Sequence, residues 1–360
     1  MSIRAVDLFC GAGGLTYGLQ EAGIDVRAGF DIESECRHPY TENNSDVDFV
    51  EGDLSDDVSN AEIEEYLSAG EDDYTLIAGC APCQPYSTMS NGNKNRTEDH
   101  EKWGLMDEFA EIVADIQPDL VTMENVPQVQ KHDPYDDFCR RLAEAGYHIS
   151  DRVVDCPNYG VPQQRKRMVL LASKHGRIEL QDPTHDPDEV TVESEFSKHN
   201  FCELEAGETS DDDFLHNARG LSDTNKKRIR HSQPGGTWKD WPEELLLKCH
   251  KKDSGRKYIA PYGRMEWNKP APTITTQFYN YGSGRFGHPE EDRAISVREG
   301  ATLQTFPSDY SFVQSEEELS VKSVGKLIGN AVPVRLAEAI GQSLIQHIRN
   351  EDPQTQLQTV

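Results

Sequence analysis

Six short apolar runs alternating with helix-length amphipathic stretches constrain this chain more than any other feature. The runs are Ile3–Phe9, Asp25–Asp31, Asp48–Gly52, Tyr74–Gly79, Asp119–Glu124 and Met168–Ala172. Between them lie candidate helices at Leu15–Ala22, Glu33–Asn43, Asn60–Ala69, Trp103–Ile116 and Tyr135–Ala145. Parallel strands need a crossover connection, so this rhythm predicts a doubly wound α/β domain built on a parallel sheet. Ligands of such sheets bind at the carboxyl ends of the strands, which is where chemistry-bearing residues should be sought. After Ser173 the alternation stops, and an irregular acidic segment leads into a basic, Gly- and Pro-punctuated region read as a smaller second domain. Helical periodicity returns at Pro333–Ile348, and Asn350–Val360 reads as a frayed tail.

Charge sharpens this division. The 360 residues carry 64 acids against 36 bases, a net charge of -28. Spread evenly, that excess would argue against a polyanionic partner, which is normally met by positive surface. It is not even. Glu42–Asp73 holds thirteen acids and no Lys or Arg, whereas between Asn217 and His288 fourteen bases face six acids, a local net of +8. The acidic remainder fits a halophile's cytosol, where salt of about 1 M shortens screening to roughly 3 Å. The basic region is built to meet an anion. No apolar run approaches the roughly 20 residues of a membrane span, and Met1–Asp7 enters a strand pattern without a signal-peptide core. Eight cysteines at irregular spacing do not make a disulfide framework. The expectation is a cytoplasmic protein.

Three of the predicted strand ends carry groups suited to an adenosine-type ligand. Asp7-Leu8-Phe9-Cys10-Gly11-Ala12-Gly13-Gly14 closes the first strand and opens a helix, which serves either a close backbone approach to a ligand or a tight βα turn. Asp31 ends the second strand, where an acid can take ribose hydroxyls, and Asp53 follows the third, where it can accept from an amino group. No nucleoside-triphosphate loop of the form GxxxxGK[ST] is present. The fourth strand runs into Gly79-Cys80-Ala81-Pro82-Cys83-Gln84-Pro85-Tyr86-Ser87. A Cys-x-x-Cys admits three readings. A redox pair usually opens a helix, whereas Pro85 and the polar run Ser87–His100 suggest a loop. A zinc site wants four ligands, and no second Cys-x-x-Cys or His pair completes one, so no metal is expected. A cysteine beyond a strand end, stiffened by Pro82, is placed as a nucleophile. Glu124-Asn125-Val126 ends the fifth strand, where a carboxyl can donate a proton, and Gln163-Gln164-Arg165-Lys166-Arg167 brings two guanidinium groups before the sixth.

Taken together and in this order, these motifs resemble the DNA (cytosine-5) methyltransferases over nearly the whole chain. The resemblance implies a Rossmann-like, S-adenosylmethionine-dependent methyltransferase domain over residues 1–175, completed by 318–350, with a target-recognition domain over 176–317 and a tail at 351–360. It implies cofactor contacts from Asp7, Phe9, Cys10, Gly11, Gly13, Gly14, Leu15, Asp31, Ile32, Asp53, Leu54 and Pro82, with Asn330 and Val332 from a late Gly329-Asn330-Ala331-Val332-Pro333 motif. Arg293 and Arg298–Pro307 are similar to the motif that supports the recognition domain. The departure is Cys80-Ala81-Pro82, where the family usually has Gly-Pro-Pro.

The reaction so implied has the Cys83 thiolate adding to C6 of a cytosine flipped out of duplex DNA, Glu124 stabilising the adduct at N3 and the amine, and Arg165 or Arg167 holding the base through O2 or supporting its neighbours. The group that removes the C5 proton stays open. Contacts to double-stranded DNA are expected from Gln84, Ser87, Gln163, Lys226, Arg228, Arg230, Arg264, Thr273, Thr275 and Arg285. A monomer at the nucleoid, working either with a cognate restriction endonuclease or as an orphan methylase, completes the expectation. Two rivals stand beside it: a tRNA cytosine-5 methyltransferase, and a non-catalytic DNA-binding module on the same fold. In this reading Cys80 is a bystander, so Cys80→Gly should barely affect activity.

Overall fold

The computed structural model describes residues 2–68, 70, 73–82, 96–253 and 255–351. Its strands, in chain order, are β1 (Ile3–Leu8), β2 (Asp25–Asp31), β3 (Asp48–Glu51), β4 (Tyr74–Gly79), β5 (Leu120–Asn125), β6 (His148–Asp155), β7 (Gln163–Gln164), β8 (Lys166–Ser173) and β9 (Ala271–Pro272). Its helices are α1 (Gly14–Glu21), α2 (Arg37–Asn43), α3 (Asn60–Leu67), α4 (Arg96–Ile116), α5 (Asp133–Glu144), α6 (Val192–Phe196), α7 (Asp223–His231), α8 (Val297–Leu303), α9 (Val321–Asn330) and α10 (Val334–Glu351).

The chain divides into two compact units. The first runs through Asp155, resumes over Lys166–Pro183 and closes from Val332 onward. It holds a seven-stranded sheet in the order β3-β2-β1-β4-β5-β8-β6. The α/β class expected from the alternation is present, with one change. β8 runs antiparallel to both of its neighbours, and β6, absent from the expected strands, forms the edge beyond it. Ten residues separate Asp155 from Lys166, too short for a helical crossover but enough to turn the chain back antiparallel. β6 escaped notice because its burial is poor: most of His148–Asp155 is exposed or half-buried, so it lacks the apolar run that marks the inner strands.

The inner strands are apolar because helices cover both faces. On one face Val6, Leu8, Phe30, Ile77, Val121, Met123 and Leu170 pack with Ile63 of α3, Phe109 of α4 and Phe138 of α5. α1 and α10 pair with a very close approach: a Cβ on Gly18 would lie 2.4 Å from the Val334 carbonyl oxygen. Only a glycine lets those backbones come together.

The second unit comprises Cys156–Arg165 and Thr184–Ala331. It therefore includes 156–165 and 318–331, which the sequence-based division assigned to the first domain. The reasons lie in packing. Gln163 and Gln164 of β7 pair with Ala271 and Pro272 of β9, and α9 backs onto 275–279, with Gly325 against the Tyr279 ring and Gly329 against the Thr275–Thr276 backbone. The unit has little regular structure. Its order comes from a cluster of Ile229, Trp238, Trp241, Tyr281 and Ala294, and from a buried bidentate pair in which Arg293 Nη1 and Nη2 donate to Glu299 at 2.7 and 2.8 Å.

Candidate active site

The β1–α1 turn is built on unusual backbone conformations. Phe9, Gly11 and Gly13 all have positive φ, of 61, 55 and 86°. A Cβ on Gly11 would meet nothing within 4 Å, so the space beside this turn is open. The Gly11 N–H donates to Asp31 Oδ2 at 2.9 Å, and the Glu33 N–H to Asp31 Oδ1 at 2.9 Å, which ties the ends of β1 and β2 together. Ile32, next in the chain, is 62% exposed, an unusual position for a large apolar side chain. Asp53 Oδ1 accepts from the Ser55 hydroxyl at 2.7 Å and its N–H at 3.0 Å; these bonds hold its carboxyl below the ordinary range.

Other expected cofactor residues are placed differently. Asp7 is fully buried, and Oδ2 accepts from the Thr16 hydroxyl at 2.8 Å, which in turn meets the Tyr40 hydroxyl at 2.8 Å. Its side chain braces α1 against β1 and is not presented to a ligand; burial raises its carboxyl to about 7. Leu15, Leu54 and Val332 are likewise packed inside the first unit. The Cys10 thiol is buried, and that burial pushes it well above its ordinary value, which removes it as a nucleophile. Gly13 and Gly14 are buried in the turn, Pro82 is half-buried, and Asn330 is exposed at the end of α9 in the second unit.

The ends of β4, β5 and β8 bring the reactive residues together. Glu124 is 3% exposed. Its Oε1 lies 2.6 Å from Arg167 Nε, and its Oε2 accepts from the Cys80 thiol at 3.2 Å. The neighbouring Asn125 amide donates to the Ala81 carbonyl at 3.1 Å, so β5 also holds the backbone that leads to Pro82. Strand register explains the meeting. Gly79 of β4 stands opposite Met123 of β5, which puts Cys80 beside Glu124. Cys80, read from the sequence as a bystander, thus touches the Glu124 carboxyl. Cys80 follows the end of β4 and Glu124 lies at the end of β5, both at the carboxyl edge, the one signal that could have paired them. Cys83, Gln84 and Ser87 lie outside the described residues.

Of the two arginines, Arg167 lies in the first unit beside Glu124. Arg165 belongs to the second unit, where Nη1 donates to the Ile274 carbonyl at 3.0 Å and Nη2 to the Ala331 carbonyl at 3.3 Å. Gln163 is fully buried there; Nε2 donates to Leu303 O at 2.8 Å and Gln304 Oε1 at 2.7 Å, and Oε1 accepts from Ile274 N–H at 3.0 Å. Both fasten the 270s to the α8–α9 region, which for Arg165 agrees with the supporting role left open for it and for Gln163 differs from the expected DNA contact.

The comparisons with known proteins decide what this constellation belongs to. The sequence pattern described as C-5 cytosine-specific DNA methylase matches residues 3–346. The chain belongs to that family. It is a DNA cytosine-C5 methyltransferase. The methylase is 46% identical over 343 residues to the Type II methylase M.HgiDII of Herpetosiphon aurantiacus, covering 94% of each chain. It is 31% identical over 352 residues to the Type II methyltransferase M.Eco47II of Escherichia coli, covering 94% of this chain and 78% of that one. Among solved structures, a prophage-encoded protein of E. coli described as a putative DNA modification methyltransferase superposes with a TM-score of 0.73 at 20% identity, over 97% of this chain and 100% of that one. The S. pombe Dnmt2 methyltransferase gives 0.59 at 16%, over 97% and 99%.

In the methylase's second unit the expected DNA contacts fall into two groups. Arg264 and Arg228 are corrections. Arg264 is 4% exposed, and its guanidinium donates to the carbonyls of Ile229, His288 and Glu291 and to Asp292 Oδ1. Arg228 donates to the Leu245 carbonyl and Asn225 Oδ1 and lies over the Trp241 ring, 5.0 Å from its centroid. A buried guanidinium must find its partners nearby, and these two find them within the unit. Arg230 remains outward, its side chain 66% exposed beside Asp292. Lys226, Thr273, Thr275 and Arg285 are half-buried. Thr273 Oγ1 donates to the Gln164 carbonyl and Arg285 Nη1 to the Gly235 carbonyl. Among the described residues, no cluster of His, Cys, Asp and Glu is able to hold a metal ion.

Proposed function

We propose that the protein methylates C5 of cytosine within a particular duplex sequence by covalent catalysis, with S-adenosylmethionine as methyl donor, as the modification partner of a restriction endonuclease. The observation that carries this reading is the buried Glu124–Arg167 pair at the end of β5, beside the strand end that leads into Pro82-Cys83.

S-adenosylmethionine, when bound, supplies an electrophilic methyl group. The residues at the ends of β1, β2 and β3 suit it: open space beside Gly11, the exposed apolar Ile32 for the flat face of a base, Asp31 for ribose hydroxyls and Asp53 for an adenine amino group. The target carbon is a weak nucleophile, and the remaining steps address that. The Cys83 thiolate adds to C6, which gives C5 enamine character; Glu124 donates its proton or a hydrogen bond to N3 and accepts from the exocyclic amine, and Arg167 holds Glu124 in place. After transfer C5 loses its proton and Cys83 is eliminated. A base stacked in the duplex hides C6 from any side chain, so the target must leave the helix, as bases do for enzymes that modify them. The +8 region of the second unit supports a role in gripping phosphates.

The test is tritiated methyl transfer to duplex DNA and to tRNA, with a covalent trap on duplex DNA carrying 5-fluorocytosine. We expect DNA to be labelled, tRNA not, and the trapped complex to vanish in Cys83→Ser. Labelling of tRNA alone would overturn the substrate, and a trap that survives the substitution would overturn the nucleophile.

A further inference from the structure

Glu124 is held from two directions, and the catalytic role proposed for it uses only one. Arg167 Nε sits 2.6 Å from Oε1, whereas Oε2 meets the Cys80 thiol at 3.2 Å. We propose that Cys80 is a positioning residue for methyl transfer, fixing the orientation and proton position of the Glu124 carboxyl that faces the base. The proposal rests on the assignment of Glu124 to that task.

The chemistry follows from the two oxygens. Oε1 faces a permanently charged guanidinium that only donates, so a proton carried by this carboxyl sits on Oε2. Beside Oε2, Cys80 can serve both protonation states. Its S–H donates when the carboxyl is ionised and, when Oε2 carries a proton turned toward N3, to the lone pair that remains on Oε2. A glycine or alanine could do neither. A serine could do both. Without a partner at Oε2, the carboxyl loses one of the two contacts that restrain its terminal torsion, which is broad and poorly restrained by the chain itself. The backbone around Cys80 is firm enough to make the contact meaningful: its N–H donates to the Leu8 carbonyl at 3.3 Å, and the next residue is tied to Asn125.

The test measures single-turnover tritium transfer to plasmid DNA at saturating S-adenosylmethionine, together with DNA affinity and Tm, for wild type, Cys80→Ala, Cys80→Ser and Glu124→Gln, and for Cys80→Ala combined with Glu124→Gln. We expect Cys80→Ala to slow transfer about tenfold, the scale of one hydrogen bond to an ionised group, with DNA affinity and Tm unchanged. Cys80→Ser should remain within about twofold of wild type, because its hydroxyl replaces both functions. Cys80→Ala should cost nothing further in the Glu124→Gln background, since it acts through Glu124. Wild-type transfer by Cys80→Ala, or a Cys80→Ser variant as slow as Cys80→Ala, would overturn the proposal. So would a loss confined to DNA affinity or Tm. Absence of transfer by the wild type would instead overturn the functional reading, a result separable from every variant outcome.

Discussion

At the scale of single residues, burial converts ordinary carboxyls into unlike groups. Glu124 and Asp7 both lie at strand ends with almost no exposure, but Glu124 has a guanidinium at 2.6 Å whereas Asp7 Oδ2 accepts from a hydroxyl. Replacing Arg167 by Met should therefore lower methyl transfer by about 100-fold or more, the scale of a lost positioned charge contact, while leaving S-adenosylmethionine affinity near wild type. Asp7 makes a different prediction. Its carboxyl is raised from 3.8 to about 7 in the folded chain by burial, so the unfolded chain releases that proton first. Its contribution to stability is greatest below pH 3.8, declines as pH rises, and is fully lost above about 7. Asp7→Asn keeps an acceptor for Thr16 and removes this slope. Urea midpoints at pH 5 and pH 8 should show the variant gaining on the wild type by up to about 3 kcal/mol between the two, the span from pH 5 to the raised value at 1.36 kcal/mol per unit.

Among the elements, α8 shows how a short helix is secured in a unit with little regular structure. Ser296 and Glu299 form a reciprocal capping box, and the same Glu299 takes both arms of Arg293. Burial alone would push Glu299 up, but the Arg293 guanidinium more than offsets it and holds the carboxyl at about 2. This contribution is fully present above about pH 4.5 and lost as pH falls through about 2. Arg293→Ala leaves a buried, uncompensated carboxylate and should cost about 3–5 kcal/mol, read as a lowered urea midpoint. The α1–α10 contact gives a prediction for the first unit. Gly18→Ala places a Cβ 2.4 Å from the Val334 carbonyl oxygen and 2.5 Å from the Ala337 Cβ, so the helices must separate. A loss of about 1–3 kcal/mol is expected from such overpacking, again seen in the urea midpoint.

For the whole molecule, the charge sets the prediction. A net charge of -28 repels itself at low salt, and molar salt screens that repulsion while weakening phosphate contacts. If the acidic balance is an adaptation to salt, fold and methyl transfer should persist above about 1 M KCl, by circular dichroism and by tritium transfer. Loss of both would remove that account of the charge.

Much of this protein is local in origin and was legible in the chain. The period of the apolar runs, the glycines that permit positive φ after β1, and the strand-end placement of Asp31, Asp53 and Glu124 depend on neighbours a few residues away. Other features depend on what lies far off along the chain. The reversal of β8 was decided by pairing on both of its edges. Arg264 and Arg228 count as bases in a +8 region, yet burial turned them inward, because charge counting does not register where a side chain is desolvated. Cys80 and Glu124 stand 44 residues apart, and no spacing rule joins them. The sequence by itself determined the alternation, the turn chemistry and the reactive residue types. Tertiary structure decided which of those residues touch, because contact and burial are set by the register of strands that are distant in sequence.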